Sequence, residues 1–310
     1  SADVSLFQHN TNTGFYNIVG SSQRVDELLN DESVKQCYGK MWTNDLELVD
    51  SWIYPSECPN ESSHSETPEP PKRHVVRTAE ELIDLFEGVS ENIVRSNIVL
   101  LSDIDFSGTN IRFALGTFSN GTCAAFSGSF QGNGHSIKGL KLFVAGKYYA
   151  GLFCSLNNAT VENLVIDSSC SFIGDRAGTL SASVTGSLIV KNVTNKAIVR
   201  ARLRGGGFIG YMEDLKQPSV ISFDNCVNYG EVGGGHSSLG GFVGPLFSLT
   251  NTTVTISNSA NRGNIIGYDY SCVGGFVGMF DTSNNAHIMI SNSTNDGNVT
   301  CSETVAGGII

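Results

Sequence analysis

The side chains that could do chemistry in this chain are few and widely spaced. Beyond residue 140 the carboxylates are Glu162, Asp167, Asp175, Glu213, Asp214, Asp224, Glu231, Asp269, Asp281, Asp296 and Glu303. Acid–base work on a glycosidic bond needs two such groups held side by side. Asp175 with Arg176 and Glu213 with Asp214 are the pairs that adjacent repeats would bring together, and His135 and His236 stand in glycine-rich stretches. There is no EF-hand loop, phosphate-cradling glycine loop, nucleophile elbow or His-Glu-x-x-His. Asp103 and Asp105 offer oxygens to calcium, but turns at strand ends use aspartate in the same way. The residues read as a non-enzyme with no catalytic group, no metal site and no cofactor.

Other residues speak of compartment. Eight cysteines are scattered as Cys37, Cys58, Cys123, Cys154, Cys170, Cys226, Cys272 and Cys301, with no Cys-x-x-Cys and only 6 histidines. That pattern suits disulfides in an oxidising compartment better than zinc, and Cys37 with Cys58 is the natural pair. Seven Asn-x-Ser/Thr sequons, at Asn60, Asn120, Asn158, Asn192, Asn251, Asn292 and Asn298, are candidate glycosylation sites. A chain rich in Asn, Ser and Thr also makes such triplets by chance. No run approaches the ~20 apolar residues of a membrane span. Net charge −11 argues against nucleic acid as a partner. The expected location is secreted or cell-surface. The chain opens on Ser1, which fits a processed mature chain or a segment of a longer one.

The charge is uneven. Residues 1–140 hold 19 acidic and 9 basic side chains, whereas residues 141–310 hold 11 and 10. The near-neutral part repeats. A Gly-Gly-apolar-apolar corner occurs at Gly206-Gly207-Phe208-Ile209, Gly240-Gly241-Phe242-Val243 and Gly274-Gly275-Phe276-Val277. Looser copies stand at Ala150-Gly151-Leu152-Phe153, Ala177-Gly178-Thr179-Leu180 and Gly307-Gly308-Ile309-Ile310. Counted on the second residue, the spacings are 27, 29, 34, 34 and 33. Between the corners run alternating apolar segments closed by asparagine, ending at Asn163, Asn192, Asn225, Asn258 and Asn292. The last three are followed by the Asn-x-Gly turns Asn228–Gly230, Asn261–Gly263 and Asn295–Gly297.

A period near 30 means a solenoid, propeller or array, and propeller blades need about 40–45 residues. Short β-branched runs bounded by Gly and Asn are strands. The reading is an all-β fold, one solenoid coil per repeat, with coils stacked ~4.8 Å apart and like residues over like. Phe208, Phe242 and Phe276 should form an internal column, and Asn225, Asn258 and Asn292 an amide ladder. Upstream, Thr78 with Glu81 is a capping box, Leu82, Leu85 and Phe86 share one face, and Gly88 is a C-cap. A helix over 78–87 should cover the first coil.

The run Phe126-Ser-Gly-Ser-Phe-Gln-Gly-Asn-Gly-His-Ser-Ile-Lys-Gly-Leu-Lys-Leu142 is followed by Tyr149-Ala-Gly-Leu-Phe153 and Val161-Glu-Asn-Leu-Val165. Together they resemble the GLUG-type repeats of large secreted or surface proteins. Val76-Arg-Thr-Ala-Glu-Glu-Leu82 and Ile98-Val-Leu-Leu-Ser-Asp-Ile-Asp-Phe106 resemble the segment that leads into such repeats. The resemblance covers residues 74–310. It implies a right-handed parallel β-helix that serves as surface architecture, with no shared catalytic residue. Residues 55–73, with Pro55, Pro59, Pro68, Pro70 and Pro71, read as a linker to an N-terminal arm over 1–54.

Three roles follow. Gly14-Phe15-Tyr16-Asn17-Ile18-Val19-Gly20 is a loose apolar strand, and Gly307, Gly308, Ile309 and Ile310 lie in an unfinished repeat. Addition of the first segment to the second, copy after copy, would make a head-to-tail filament of a structural protein. Alternatively the chain is an adhesive or glycan-binding region of a larger surface protein, with Tyr148 and Tyr149 the nearest aromatic candidates. A polysaccharide-active enzyme is the third reading.

Overall fold

A computed structural model describes residues 72–87, 93–118, 121–144, 149–213, 215, 218–269, 271–281, 284–302 and 306–308, with the backbone of 8–9 and 16–17. The chain forms two compact units, Ser1–Pro70 and Pro71–Ile310. In the first, β1 (Gln8–His9) and β2 (Tyr16–Asn17) pair antiparallel, His9 opposite Tyr16. Tyr16 of the expected donor segment is therefore paired within its own unit. Gly14, Phe15, Ile18, Val19, Cys37, Cys58, Asn60, Gly88, Asn120, Tyr148, Ile309 and Ile310 lie outside the described residues, as do residues 55–71 and, apart from these two strands, the arm over 1–54; Lys72 and Arg73, expected in the linker, begin a strand of the second unit.

The second unit is a parallel β-solenoid. Coils begin at Phe153, Ser181, Ile209, Val243 and Val277, and each runs through three arms. The first arms are Ser181–Val184, Ile209–Glu213, Val243–Phe247 and Val277–Asp281. The second arms are Leu188–Asn195, Ser219–Asp224, Thr252–Ser257 and His287–Ser291. The third arm is continuous in Ser171–Gly178 and Ile198–Gly206 and later breaks at a corner into two short strands, as in Val232–Gly235 and Ser238–Gly240. Every arm pairs in parallel with its counterparts on neighbouring coils, so residues repeat in columns. Val161, Val190, Phe223, Ile256 and Ile290 follow one another on the second arm, and Val199, Val232, Ile265 and Val299 on the third.

Strand alternation turns those columns inward, where they make one apolar core. The expected phenylalanine column is present: ring centroids are 4.9 Å apart for Phe208–Phe242 and 5.0 Å for Phe242–Phe276. The rings are tilted rather than parallel, which suits their quadrupoles. Phe223 packs edge-on against Phe242 at 5.6 Å, tying the corner to the second arm. The two glycines before each Phe are needed because a Cβ on Gly241 would lie 2.1 Å from the Gly275 carbonyl oxygen, and one on Gly240 1.9 Å from that of Val243. A third glycine, one past the Phe-Val pair, is equally obligatory. At Gly244 a Cβ would sit 2.1 Å from the Gly210 oxygen and 2.8 Å from that of Gly205, so the first arm lies with its backbone against the third.

Two amide ladders run along the axis. In the expected one, Asn192 Nδ2 donates to Asn163 Oδ1 (2.9 Å) and Asn225 Nδ2 to Asn192 Oδ1 (2.7 Å). The next rung slips: Asn258 donates to Asp224 Oδ1 at 2.8 Å instead of to Asn225. All five ladder asparagines have φ between 47° and 54°, the left-handed region that asparagine tolerates best among residues with a Cβ. The second ladder is buried as far as Asn261 and ends on half-buried Asn295. Asn195, Asn228 and Asn261 each donate to the next Oδ1, ending on Asn295, at 2.7, 2.8 and 2.7 Å. Each also holds its own turn, as Asn228 does by accepting from Gly230 N and donating to Gly230 O. The Asn-x-Gly triplets are thus core polar spines, not surface turns alone.

At the N-terminal end, β3 (Lys72–Val76) leads into α1 (Ala79–Asp84) and then β4 (Ile93–Leu100), which pairs in parallel with β3. Thr78 Oγ1 accepts from Glu81 N at 3.2 Å, and Glu81 Oε2 accepts from Arg77 N, one residue upstream of the usual capping-box donor. Leu82 is buried and the Phe86 ring lies 5.8 Å from Phe153, so this short helix closes the core.

The expected Cys37–Cys58 pair lies outside the described residues, and among the described residues the cysteines divide into two kinds. Cys123 and Cys154 form a disulfide (Cα–Cα 5.6 Å), whereas Cys170 and Cys226 are buried thiols. Their Sγ atoms donate to the carbonyls of Ile137 and Asp224, each at 3.4 Å. Burial pushes them up to about 11 and about 12, so they stay protonated and behave as small apolar column residues.

Phe242 touches aromatic rings on both neighbouring coils, so Phe242→Ala should cost about 3–5 kcal/mol in denaturant unfolding, while Phe143→Ala, 76% exposed, should stay within about 0.5 kcal/mol.

Candidate functional site

The scattered carboxylates are held by ladders and turns. Asp105 Oδ1 accepts from Ser107 N (2.9 Å) and Asp167 Oδ1 from Ser169 N (2.9 Å), both turns at strand ends. Asp103 accepts from Ser136 N and from Lys138 Nζ (2.5 Å), with His135 Nδ1 at 3.6 Å. Glu162 lies 4.0 Å from Lys191, Asp296 3.5 Å from Arg262 and Asp269 3.8 Å from His236, while Glu231 pairs with Arg200. Asp175 does not pair with Arg176: it takes a two-pronged bond from Arg202 of the next coil, at 2.7 and 2.8 Å. The Glu213 side chain and Asp214 lie outside the described residues. Among the described residues no two carboxylates face each other as an acid–base pair would require.

The sequon asparagines divide by what their amides do. Asn192 both donates and accepts within the outer ladder, and Asn292 donates to Asn258 at 3.4 Å. Asn158 and Asn251 only accept, from Ser187 N and Asn285 Nδ2. With Asn298, they are exposed and leave Nδ2 undonated among the described residues. A left-handed Asn at a strand end followed by β-branched strand residues spells Asn-x-Thr, so the fold itself generates several of these triplets.

One constellation went unseen in the sequence. Because the third and first arms touch at Gly206, Gly210 and Gly244, their outward side chains meet along a seam. Arg176 Cζ lies 5.4 Å from the Tyr149 ring centre and 5.1 Å from that of Tyr211. Arg204 follows one coil on, 4.9 Å from Tyr211 and 5.1 Å from Phe247. Further along, Ser238 Oγ donates to Met279 Sδ at 3.7 Å. Tyr149 and Tyr211 stack at 6.4 Å. Burial, then the hydrogen bond with Tyr149, raises the Tyr211 phenol above its ordinary range, so it is neutral. Tyr149, one of the two aromatic candidates for a glycan-binding face, is half-buried beneath an arginine. The alternation Arg200-x-Arg202-x-Arg204 was the available signal; the glycine contacts that bring Tyr211 alongside were not visible as spacing.

Comparison with known proteins is sparse. No family model matches the chain. A stretch of 117 residues, 36% of this chain, is 32% identical to halomucin of Haloquadratum walsbyi, and the chain spans only 1% of that protein's length. Among solved structures, similarity extends to a candidate immunoglobulin A1 protease from Bacteroides ovatus, at 19% identity and TM-score 0.47, over 76% of this chain and 82% of that one. No helix among the described residues is long and apolar enough to cross a membrane.

The carboxylates set an acid limit. The Lys138 ammonium holds Asp103 below its ordinary value of 3.8, as the Ser107 bonds do Asp105, the Ser169 amide Asp167, Arg202 Asp175, and Asn258 with Ser257 Asp224. A carboxyl depressed in the folded state contributes stability above its unfolded pKa and loses it as pH falls through the folded one. The Tm of the full chain should therefore fall as pH drops below about 4, with a shallower fall in Lys138→Met. A Tm level down to pH 2 would contradict this.

Proposed function

We propose that the chain is a structural segment of a long extracellular or cell-surface protein. The observation that carries the reading is the run of axial columns, apolar and, along Asn195, Asn228, Asn261 and Asn295, amide, which stiffens the coil stack. Support comes from the Cys123–Cys154 disulfide, which suits an oxidising compartment, and from the partial match to a far longer protein. The GLUG-type resemblance fits the same role.

Joining of such segments head to tail is the finer reading. Parallel coils accept another strand at an end without a change of register, whether from chain continuation or from a second copy. The 14–20 segment is the proposed donor, and Tyr16 must leave His9 to act as one. Electron micrographs of the full chain at high concentration should show filaments that deletion of residues 1–25 abolishes. Monodisperse particles throughout would remove the filament reading.

Glycans complete the proposal. Asn158, Asn251 and Asn298 are the expected carriers, because Asn192 would have to surrender a ladder rung. Glycopeptide mass spectrometry of native material should find the first three occupied and Asn192 bare; the reverse pattern would refute the assignment.

A further inference from the structure

The seam between the third and first arms holds a guanidinium with nothing to bind. Arg200 is paired with Glu231, and Arg202 with Asp175. Arg176 has no hydrogen bond or ion pair among the described residues, and its Nε is buried without an acceptor. Its charge does help depress Asp175, but as the last of the causes, since that carboxylate is committed to Arg202. A buried donor left unmade costs about 1–3 kcal/mol. The two tyrosines in cation–π range hold the head group in place, so it is already positioned for a ligand. Arginine's planar fork matches a carboxylate in two-pronged fashion through its two terminal Nη groups, while Nε stays enclosed by the seam.

We propose that Arg176, with Tyr149 and Tyr211 beside it, is a binding site for the carboxylate of an acidic saccharide. Two observations favour a sugar acid over a peptide. The strands of the seam are paired on both sides, Ser171–Gly178 with Tyr149–Ala150 and Ile198–Gly206, and Ile209–Glu213 with Ser181–Val184 and Val243–Phe247. No free edge is left there for a peptide to join by main-chain bonds. What remains is side-chain chemistry: a guanidinium for the carboxylate, flanked by phenol hydroxyls and aromatic edges suited to sugar hydroxyls and C–H faces. The aromatic lining continues one coil on, where Arg204 lies against Tyr211 and Phe247, so the seam runs in the direction an oligosaccharide would follow.

The test is titration calorimetry of the full chain with an oligogalacturonate, alongside the neutral oligogalactose, hexaglutamate and inorganic phosphate. The acidic sugar should bind and the other three should not. Arg176→Lys keeps the charge but loses the fork, and should weaken binding about tenfold. Arg262→Gln removes a similar Arg–Tyr contact far along the solenoid and should leave binding unchanged. Wild-type protein gives a second reading that needs no variant: the oligogalacturonate should protect Arg176 from phenylglyoxal, as mapped by peptide mass, while Arg262 stays reactive. The proposal falls if the acidic sugar binds no better than the neutral one, if hexaglutamate or phosphate binds equally, if Arg176→Lys folds and binds like wild type, or if Arg176 is not protected.

Discussion

Everything in the second unit depends on parallel stacking of coils one strand spacing apart. Each residue then sees its counterpart above and below at ~4.8 Å, and only side chains that tolerate their own kind can fill a column. Apolar residues do so by packing, as Phe208, Phe242 and Phe276 show. Asparagine does so because its amide is donor and acceptor at once, so Asn195, Asn228 and Asn261 form a chain of rungs inside the core that ends on half-buried Asn295. Had these been aspartates, each rung would set two buried carboxylates against each other. The near-absence of net charge beyond residue 140 follows from the same rule.

Several charged side chains are matched with opposite charges on neighbouring coils, although Arg176 and Arg204 share a register at the seam. Lys138 lies one coil from Asp105 and one from Asp167, and Lys191 lies beside Glu162. Opposite charges facing across strands help a sheet modestly, whereas like charges would oppose stacking. The outer amide ladder shows how local this matching is. At the third rung Asn258 finds Asp224 rather than Asn225, and Asn292 resumes the ladder on Asn258.

Much of this was legible because a solenoid writes its structure as repetition. The Gly-Gly-Phe corners marked where coils turn, and their spacing of 27 to 34 residues marked coil length. The capping box at Thr78 was readable from two residues, and the structure changed only the amide that Glu81 accepts from. What stayed hidden came from contacts between arms rather than between coils. Nothing local to Asn228 says that its side chain turns inward, because Asn-x-Gly is also the signature of an exposed turn. The count and spacing of the cysteines could not distinguish a buried column thiol such as Cys226 from a bridging one such as Cys154. The arginine–tyrosine seam needed the knowledge that Gly206, Gly210 and Gly244 let two backbones touch.

The division of labour between inward and outward positions explains why such a site can exist on a scaffold this repetitive. Inward columns carry the core, and their identities are tied from coil to coil. Outward positions at the seam are not tied in this way: Ser183, Tyr211, Pro245 and Met279 succeed one another in a single register. The glycine contacts beneath them are backbone to backbone and hold for any outward residue. A cluster such as Arg176 with Tyr149 and Tyr211 can therefore be placed at one level of the stack while the columns beneath continue unchanged, so a solenoid can keep a mechanical role and still differ in binding along its length.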